Sequence, residues 1–213
     1  MTTATSGRVY GGLTAEERAA QRRSRLLAAG LEVFGTVGYA GATQRAVLQQ
    51  AGLGERYFEE SFADLEDLLA AVHVQVCADV VAEVLAAMAD AAPDLETQVR
   101  VGLAVFTRAT LRDRRRARVQ LLEAVGVSPA LEQVRRETRH AFAGIVAEHL
   151  APLSRPGGLA LDLVAVAVVG AVDELLRDVV LDRVHVEEDR LVEHLVRLVL
   201  AMGRTLDVPG RPS

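Results

Sequence analysis

TQRAVLQQAGLGERYFEESF, residues 43–62, decides the fold. The stretch reads as two short helices flanking Ala51-Gly52-Leu53, a helix-turn-helix. Gly52 stands where the first helix must end and the chain must turn, because glycine enters the left-handed region without a Cβ penalty. Thr43 supplies an oxygen suited to cap the first helix. Val47, Leu53 and Phe58 are spaced to bury one face of both helices against a third helix upstream. The second helix, about residues 54–61, is then presented outward, as a helix that enters a DNA major groove must be.

Upstream, Thr14 and Glu17 have the spacing of a capping box, which opens a helix running to about Thr36. Its apolar face is Leu26, Leu27, Leu31, Val33 and Phe34, and Arg18, Arg22, Arg23 and Arg25 cluster in its first half. Downstream, Asp64 can cap a long helix from Leu65 to about Asp90, with Leu68, Leu69, Val72, Val76, Val80 and Val84 stepping along it. Pro93-Asp94 starts a helix to about Leu111. The arginine-rich stretch 112–118 then leads into a short helix ending at Gly126. Ser128 followed by Pro129 at the first helical position opens a helix to about Ala151. After a loop at 152–158, two last helices cover about 159–181 and 187–205. The expected organisation is all-α with about nine helices: a disordered tail (1–13), a three-helix helix-turn-helix domain (14–64), a larger helical domain (65–206) and a short tail (207–213).

Composition agrees. Half of the 213 residues are hydrophobic, and Ala, Val, Leu, Glu and Arg dominate, as in helical proteins. All 24 basic residues are arginine, which points to the codon bias of a GC-rich bacterial genome. A single cysteine, Cys77, excludes an internal disulfide and fits a reducing cytoplasm. The first twelve residues lack the apolar core of a signal peptide. The longest uncharged apolar run, Leu163 to Val172, falls short of the roughly 20 residues that span a bilayer. The expected location is therefore the cytoplasm, with no membrane partner. A net charge of -5 gives no global attraction to DNA, so DNA binding must come from a local patch.

The last two helices carry a second message. Ala165, Ala167, Gly170 and Ala171 would let another backbone approach closely. Leu191, Leu195, Leu198 and Met202 form one stripe, and Val192, Val196 and Val199 an adjacent one. A helix apolar over two stripes must bury two sides. This predicts a twofold homodimer through a four-helix bundle, with Ala167, Gly170, Ala171, Leu191, Leu195, Leu198 and Met202 at the interface. A deeply buried helix within one chain is the alternative.

The order of one helix, a helix-turn-helix, a long connecting helix and a larger helical domain resembles the TetR/AcrR family of one-component bacterial regulators. The residues that carry the likeness are Leu26 to Phe34, Gly38-Tyr39, Thr43, Ala51-Gly52-Leu53, Phe62, and Glu66 with Leu68-Leu69. The resemblance implies a homodimeric repressor that reads a palindromic operator and is released by a small molecule. It places Thr43 and Arg45 near DNA phosphates and Arg22, Arg23 and Arg25 near the backbone. It turns Gly54, Glu55, Arg56 and Tyr57 to the bases, with Arg56 able to contact guanine in bidentate fashion. The chain departs from the family pattern at Glu59-Glu60-Ser61, at Leu65 where lysine is common, and at Leu48 where a small residue is usual. Between Thr14 and Asp64 six arginines face seven acidic residues. These departures keep open a second reading: a dimer of the same fold that binds ligand or protein with a weakened or lost DNA-reading surface.

No catalytic constellation is legible: no glycine-rich phosphate loop, no Gly-x-Ser-x-Gly and no ligand set with metal spacing. An enzyme is not expected, nor a cofactor. His73 and Cys77, i and i+4, read as two core-facing residues rather than a metal pair. The arginines of 112–118 read as a solvated loop. An effector pocket is expected among the long helix and the three after it, from His73, Val76, Val80, Leu103, Phe106, Thr110, Leu122, Thr138, Phe142, Val146 and Leu163, with plain core packing as the alternative for each. Their sparse polarity favours a small hydrophobic or aromatic effector.

Overall fold

The computed structural model describes residues 14–154 and 160–207. The tail expected at 1–13, most of the loop expected at 152–158 and the end of the C-terminal tail lie outside the described residues.

The caps form where the sequence places them. Thr14 Oγ1 accepts from the Glu17 amide at 3.1 Å while Glu17 accepts from the Thr14 amide at 2.6 Å, opening α1 (Ala15–Val37). Thr43 Oγ1 accepts from the Ala46 amide and opens α2 (Gln44–Ala51), which Gly52 ends at φ 60°, ψ 41°. The helix after it, α3 (Glu55–Glu59), is shorter than its expected span, because the Ser61 amide donates to the Phe58 carbonyl, three residues back, instead of continuing the α ladder. Asp64 caps α4 (Leu65–Ala89), Asp94 caps α5 (Leu95–Leu111), Asp113 caps α6 (Arg114–Arg118) and Ser128 caps α7 (Pro129–Leu150). Two helices complete the described chain, α8 (Leu161–Val180) and α9 (Glu188–Arg204). No strand occurs among the described residues.

Two large apolar cores organise the described residues, with two smaller clusters beside them. The first joins Leu26 and Phe34 of α1, Val47 of α2, Phe58, Phe62 and the first half of α4, and it takes in Val119, Ala124 and Leu131 from far along the sequence. The second is built by α8 and α9 on α5, with Leu176, Leu195 and Val196 fully buried. Burying a side chain the size of Phe58 stabilises by about 1.5–3 kcal/mol relative to leaving it in water. α4 is long and apolar enough by composition to cross a membrane. Here Leu68, Leu69, Val72 and Val76 serve the first core, and Val80, Val84 and Met88 pack against α5 and α7 instead.

The arginine-rich stretch is not a solvated loop. Arg114 to Arg118 form α6, and each arginine meets an acid: Arg112 meets Glu83, Arg114 meets Asp182, Arg115 meets Glu32 and Asp113, Arg116 meets Asp79, and Arg118 meets Glu123. The short helix brackets α1, α4 and the end of α8. Gly35 makes the crossing with α1 possible, since a Cβ there would fall on Arg115 Cβ and only 2.7 Å from its Cα.

After Arg118 the helix widens into a π turn, Val119–Glu123. Its Leu121 carbonyl accepts from Arg177 Nε at 3.2 Å and its Val119 carbonyl from His73 Nδ1 at 3.3 Å. Glu123 accepts from the Tyr39 amide at 2.8 Å, tying the turn to the segment between α1 and α2.

Candidate DNA-reading surface and ligand cavity

α3 lies on α1 through side chains that the sequence assigns to DNA. Arg22 stacks over the Tyr57 ring, 4.6 Å from its centroid, and reaches Glu60 at 3.4 Å. Arg23 lies over Phe62 at 4.8 Å. Arg25 donates to the carbonyls of Ala51 at 2.6 Å and Gly52 at 3.2 Å, so its guanidinium braces the turn between α2 and α3. Arg25 thus braces the turn from an exposed position on α1. Thr43 and Arg45 at the start of α2 are exposed, as are Gly54, Glu55, Arg56 and Tyr57 around α3. Arg56 is 86 % exposed, and it pairs with Glu60 at 2.9 Å. Glu60 therefore holds both Arg22 and Arg56. Ion pairs this exposed contribute roughly 0–1 kcal/mol, which a phosphate can displace.

Behind this module an apolar cleft of about 750 Å³, counted to its open mouth, lies between α4, α5, α7, α8 and α9. Four expected residues line it, Leu103, Phe106, Phe142 and Val146, with the Phe106 and Phe142 rings edge-on at 5.3 Å. Sequence reasoning missed Met88, Ile145, His149 and Asp173, which also line it. His149 donates from Nδ1 to the Ile145 carbonyl at 2.9 Å. Burial pushes the Asp173 carboxyl above its ordinary range, and Arg139 at 3.4 Å opposes the shift.

Seven expected lining residues lie elsewhere. Val76 belongs to the first core, Val80 packs beside the cleft, and Leu122 is half-buried against the second core. Leu163 is 63 % exposed on the outer face of α8. Thr110 is buried against Gln120 at 3.5 Å. His73 and Thr138 form a separate polar knot: with Nδ1 given to Val119, His73 Nε2 faces Thr138 Oγ1 at 3.1 Å and Cys77 Sγ at 3.7 Å. Burial lowers the His73 pKa and raises the Cys77 thiol to about 12, so the pair is neutral. A neutral thiol is a poor metal ligand, and no group of three metal-ligating side chains occurs among the described residues.

The expected interface residues also separate. Leu191 and Leu195 are buried within their own subunit, at 5 % and 0 % exposure, and cannot meet a partner. Ala167 and Leu198 are exposed, and Gly170, Ala171 and Met202 are half-buried. The two stripes of α9 are one broad face: Leu191, Val192, Leu195, Val196 and Val199 all turn into the second core.

A helix-turn-helix seated on α1, and one long helix leading from it into a helical bundle around an apolar cleft, define the fold of the TetR-family transcriptional regulators. Many solved structures of that family share it. FadR of Bacillus halodurans, a fatty acid degradation regulator, is 19% identical with a TM-score of 0.75 over 84% of this chain and 94% of that one. FadR of Bacillus subtilis, a transcriptional regulator solved in complex with stearoyl-CoA, is 18% identical with a TM-score of 0.72 over 84% and 98%. A regulatory protein of the TetR family from Rhodococcus RHA1 is 22% identical with a TM-score of 0.61 over 91% and 99%. No protein-family profile matches the sequence. No curated protein matches it either.

Proposed function

We propose that this chain is a ligand-responsive transcriptional repressor, binding a palindromic operator as a homodimer and released by a small apolar effector. One observation carries the reading: α4 belongs to both ends of the mechanism. Its first half is core to the helix-turn-helix, and its second half, through Val81, Val84 and Met88, walls the cleft. A ligand that binds one position of α4 better than another biases where α3 sits, which is all that a regulatory coupling requires. The cleft's apolar lining suits an effector with a hydrocarbon body, and the stearoyl-CoA bound by FadR of Bacillus subtilis supports that class. The second copy would pack on the outer face of α8 and α9, where Leu163, Leu175 and Leu198 stand exposed. Arg56, outermost on α3, reads guanine.

The test is fluorescence anisotropy on duplex DNA from upstream of the chain's own gene, against random duplex, at two salt concentrations. Tighter binding to the upstream DNA, a negative salt slope and loss of the preference in Arg56→Ala are expected. Equal affinity for both duplexes would refute the repressor.

The pairing of Glu60 with Arg22 and Arg56 favours a second reading, a dimer that binds ligand while its DNA surface is self-neutralised. Glu60→Gln discriminates. It frees two arginines, so a working DNA reader should gain affinity and a steeper salt slope, by about one unit per new phosphate contact. A chain that no longer reads DNA would gain only weak, sequence-blind binding.

A further inference from the structure

A second cleft, of about 520 Å³, adjoins the apolar one and has the opposite chemistry. Arg135, Arg136, Arg139 and His140 line it from α7, Glu132 stands at its edge, and Val166 and Val169 close it from α8. The two clefts share a wall. Val169 lines both, and Arg139 of the basic cleft is paired at 3.4 Å with Asp173 of the apolar one. Along α7 the lining runs from Glu132 and Arg135 in the basic cleft to Phe142, Val146 and Leu150 in the apolar one. At 1.5 Å per residue, Arg135 to Leu150 spans roughly 22 Å.

The cations outnumber their acids. Arg135 meets Glu132 at 3.3 Å and Arg139 meets Asp173, while Arg136 is exposed beside them. Glu132 is itself engaged by the Gly126 amide at 2.8 Å. Three guanidinium groups held on consecutive turns of one helix present forked donors at the end of a hydrocarbon-sized groove. That arrangement suits a carboxylate or a phosphate, which guanidinium groups bind in paired, charge-assisted hydrogen bonds.

We propose that the two clefts form one bipartite site, whose ligand is an amphipath with a hydrocarbon chain in the apolar cleft and an anionic head on Arg135, Arg136 and Arg139. The inference rests on the proposed effector cleft and specifies the class of molecule it takes. A neutral hydrocarbon or an aromatic ring would leave the arginines unused. The anion could be the carboxylate of a free fatty acid or the phosphate of a larger head group, and the same donors serve both.

The experiment uses the full chain and three probes with one hydrocarbon tail: dodecanol, dodecanoate and dodecyl phosphate, with binding followed by calorimetry. One or both anions should bind at least about tenfold tighter than the alcohol, since a hydrogen bond to a charged group is worth roughly that factor. The tighter of the two identifies the head. Arg136→Gln alters an exposed position and leaves the fold intact. With Arg135→Gln added, the anions should lose about ten- to a hundredfold and the alcohol should not change. Equal binding of all three probes would overturn the anionic subsite and leave the apolar cleft standing. Equal loss of all three in the double variant would also overturn it, reducing the arginines to scaffolding. Failure of every probe to bind the folded wild-type chain would remove the effector cleft and this inference together.

Discussion

Gly35→Ala tests the joint between the front and back of the molecule. The added methyl group would meet the Arg115 backbone at 2.7 Å from Cα, and that atom cannot rotate away. Carbon atoms rest at about 3.5–4.0 Å, so α1 and α6 must part by about 1 Å. Overpacking of this kind costs about 1–3 kcal/mol. Alanine's better helix propensity returns up to about 1 kcal/mol, for a net loss of about 1–2 kcal/mol. With a urea slope of about 3 kcal/mol/M, the unfolding midpoint should fall by about 0.5 M. Gly144→Ala is the control, because a Cβ there, on an exposed stretch of α7, meets nothing within 4 Å. It should raise the midpoint by about 0.3 M from propensity alone. Circular dichroism during urea titration of both variants reads the difference. If Gly35→Ala stabilises as much as Gly144→Ala, then α1 and α6 do not cross closely and the tight-joint argument is wrong.

The proposed homodimer gives a second prediction. Leu198→Glu alters an exposed α9 residue and should convert a homodimer to a monomer in sizing without loss of helicity. Leu195→Ala alters a fully buried one and should cost about 2–5 kcal/mol of stability while leaving the association state unchanged. A dimer that survives Leu198→Glu together with Leu175→Glu would move the interface off the α8 and α9 face. A third prediction concerns pH. Burial lowers the His73 pKa in the folded chain. Below its ordinary value of about 6.5 only the unfolded chain takes up that proton, so stability falls as pH falls. The loss approaches about 1.4 kcal/mol per pH unit. Burial of Asp173 raises its carboxyl and acts in the opposite sense above the ordinary carboxylate range, so the difference between wild type and His73→Gln isolates the histidine. Parallel stability profiles from pH 7 to 5 would show that His73 binds its proton equally in both states.

Much of the architecture could be read from the chain because caps act locally. Thr14, Thr43, Asp64 and Ser128 each satisfy an amide three residues on, so the helix starts need no tertiary information. The ends and faces were harder. The end of α3 is set by the Ser61 amide turning back three residues to Phe58, which the residue pattern does not reveal. The α9 stripes misled because Leu191, Val192, Leu195, Val196 and Val199 sit at i, i+1, i+4, i+5 and i+8, one wide face that periodicity can split in two. The arginines of α6 looked solvated because their acids lie at Glu32, Asp79, Glu83 and Asp182, distant in sequence. In the cleft, spacing marks Leu103 and Phe142 as inward but cannot separate residues that touch a neighbour from those that touch a void. Arg135, Arg136, Arg139 and His140 did carry a signal, a basic run on adjacent turns of α7, which the more conspicuous run at 112–118 overshadowed.

The widened turn at Val119–Glu123 has a consequence for how this chain can change. A π turn carries one residue more than the α ladder can hold, and here the Val119 and Leu121 oxygens face His73 and Arg177. Deleting a single residue there would rotate one flank about 100° against the other and carry both oxygens away from their partners. Glu123 would swing off the Tyr39 amide, and His73 Nδ1 and Arg177 Nε would lose their carbonyl partners in the same event. Length at this point is therefore harder to vary than chemistry: descendants of this chain could trade side chains along the segment one at a time, but could not shorten it by one.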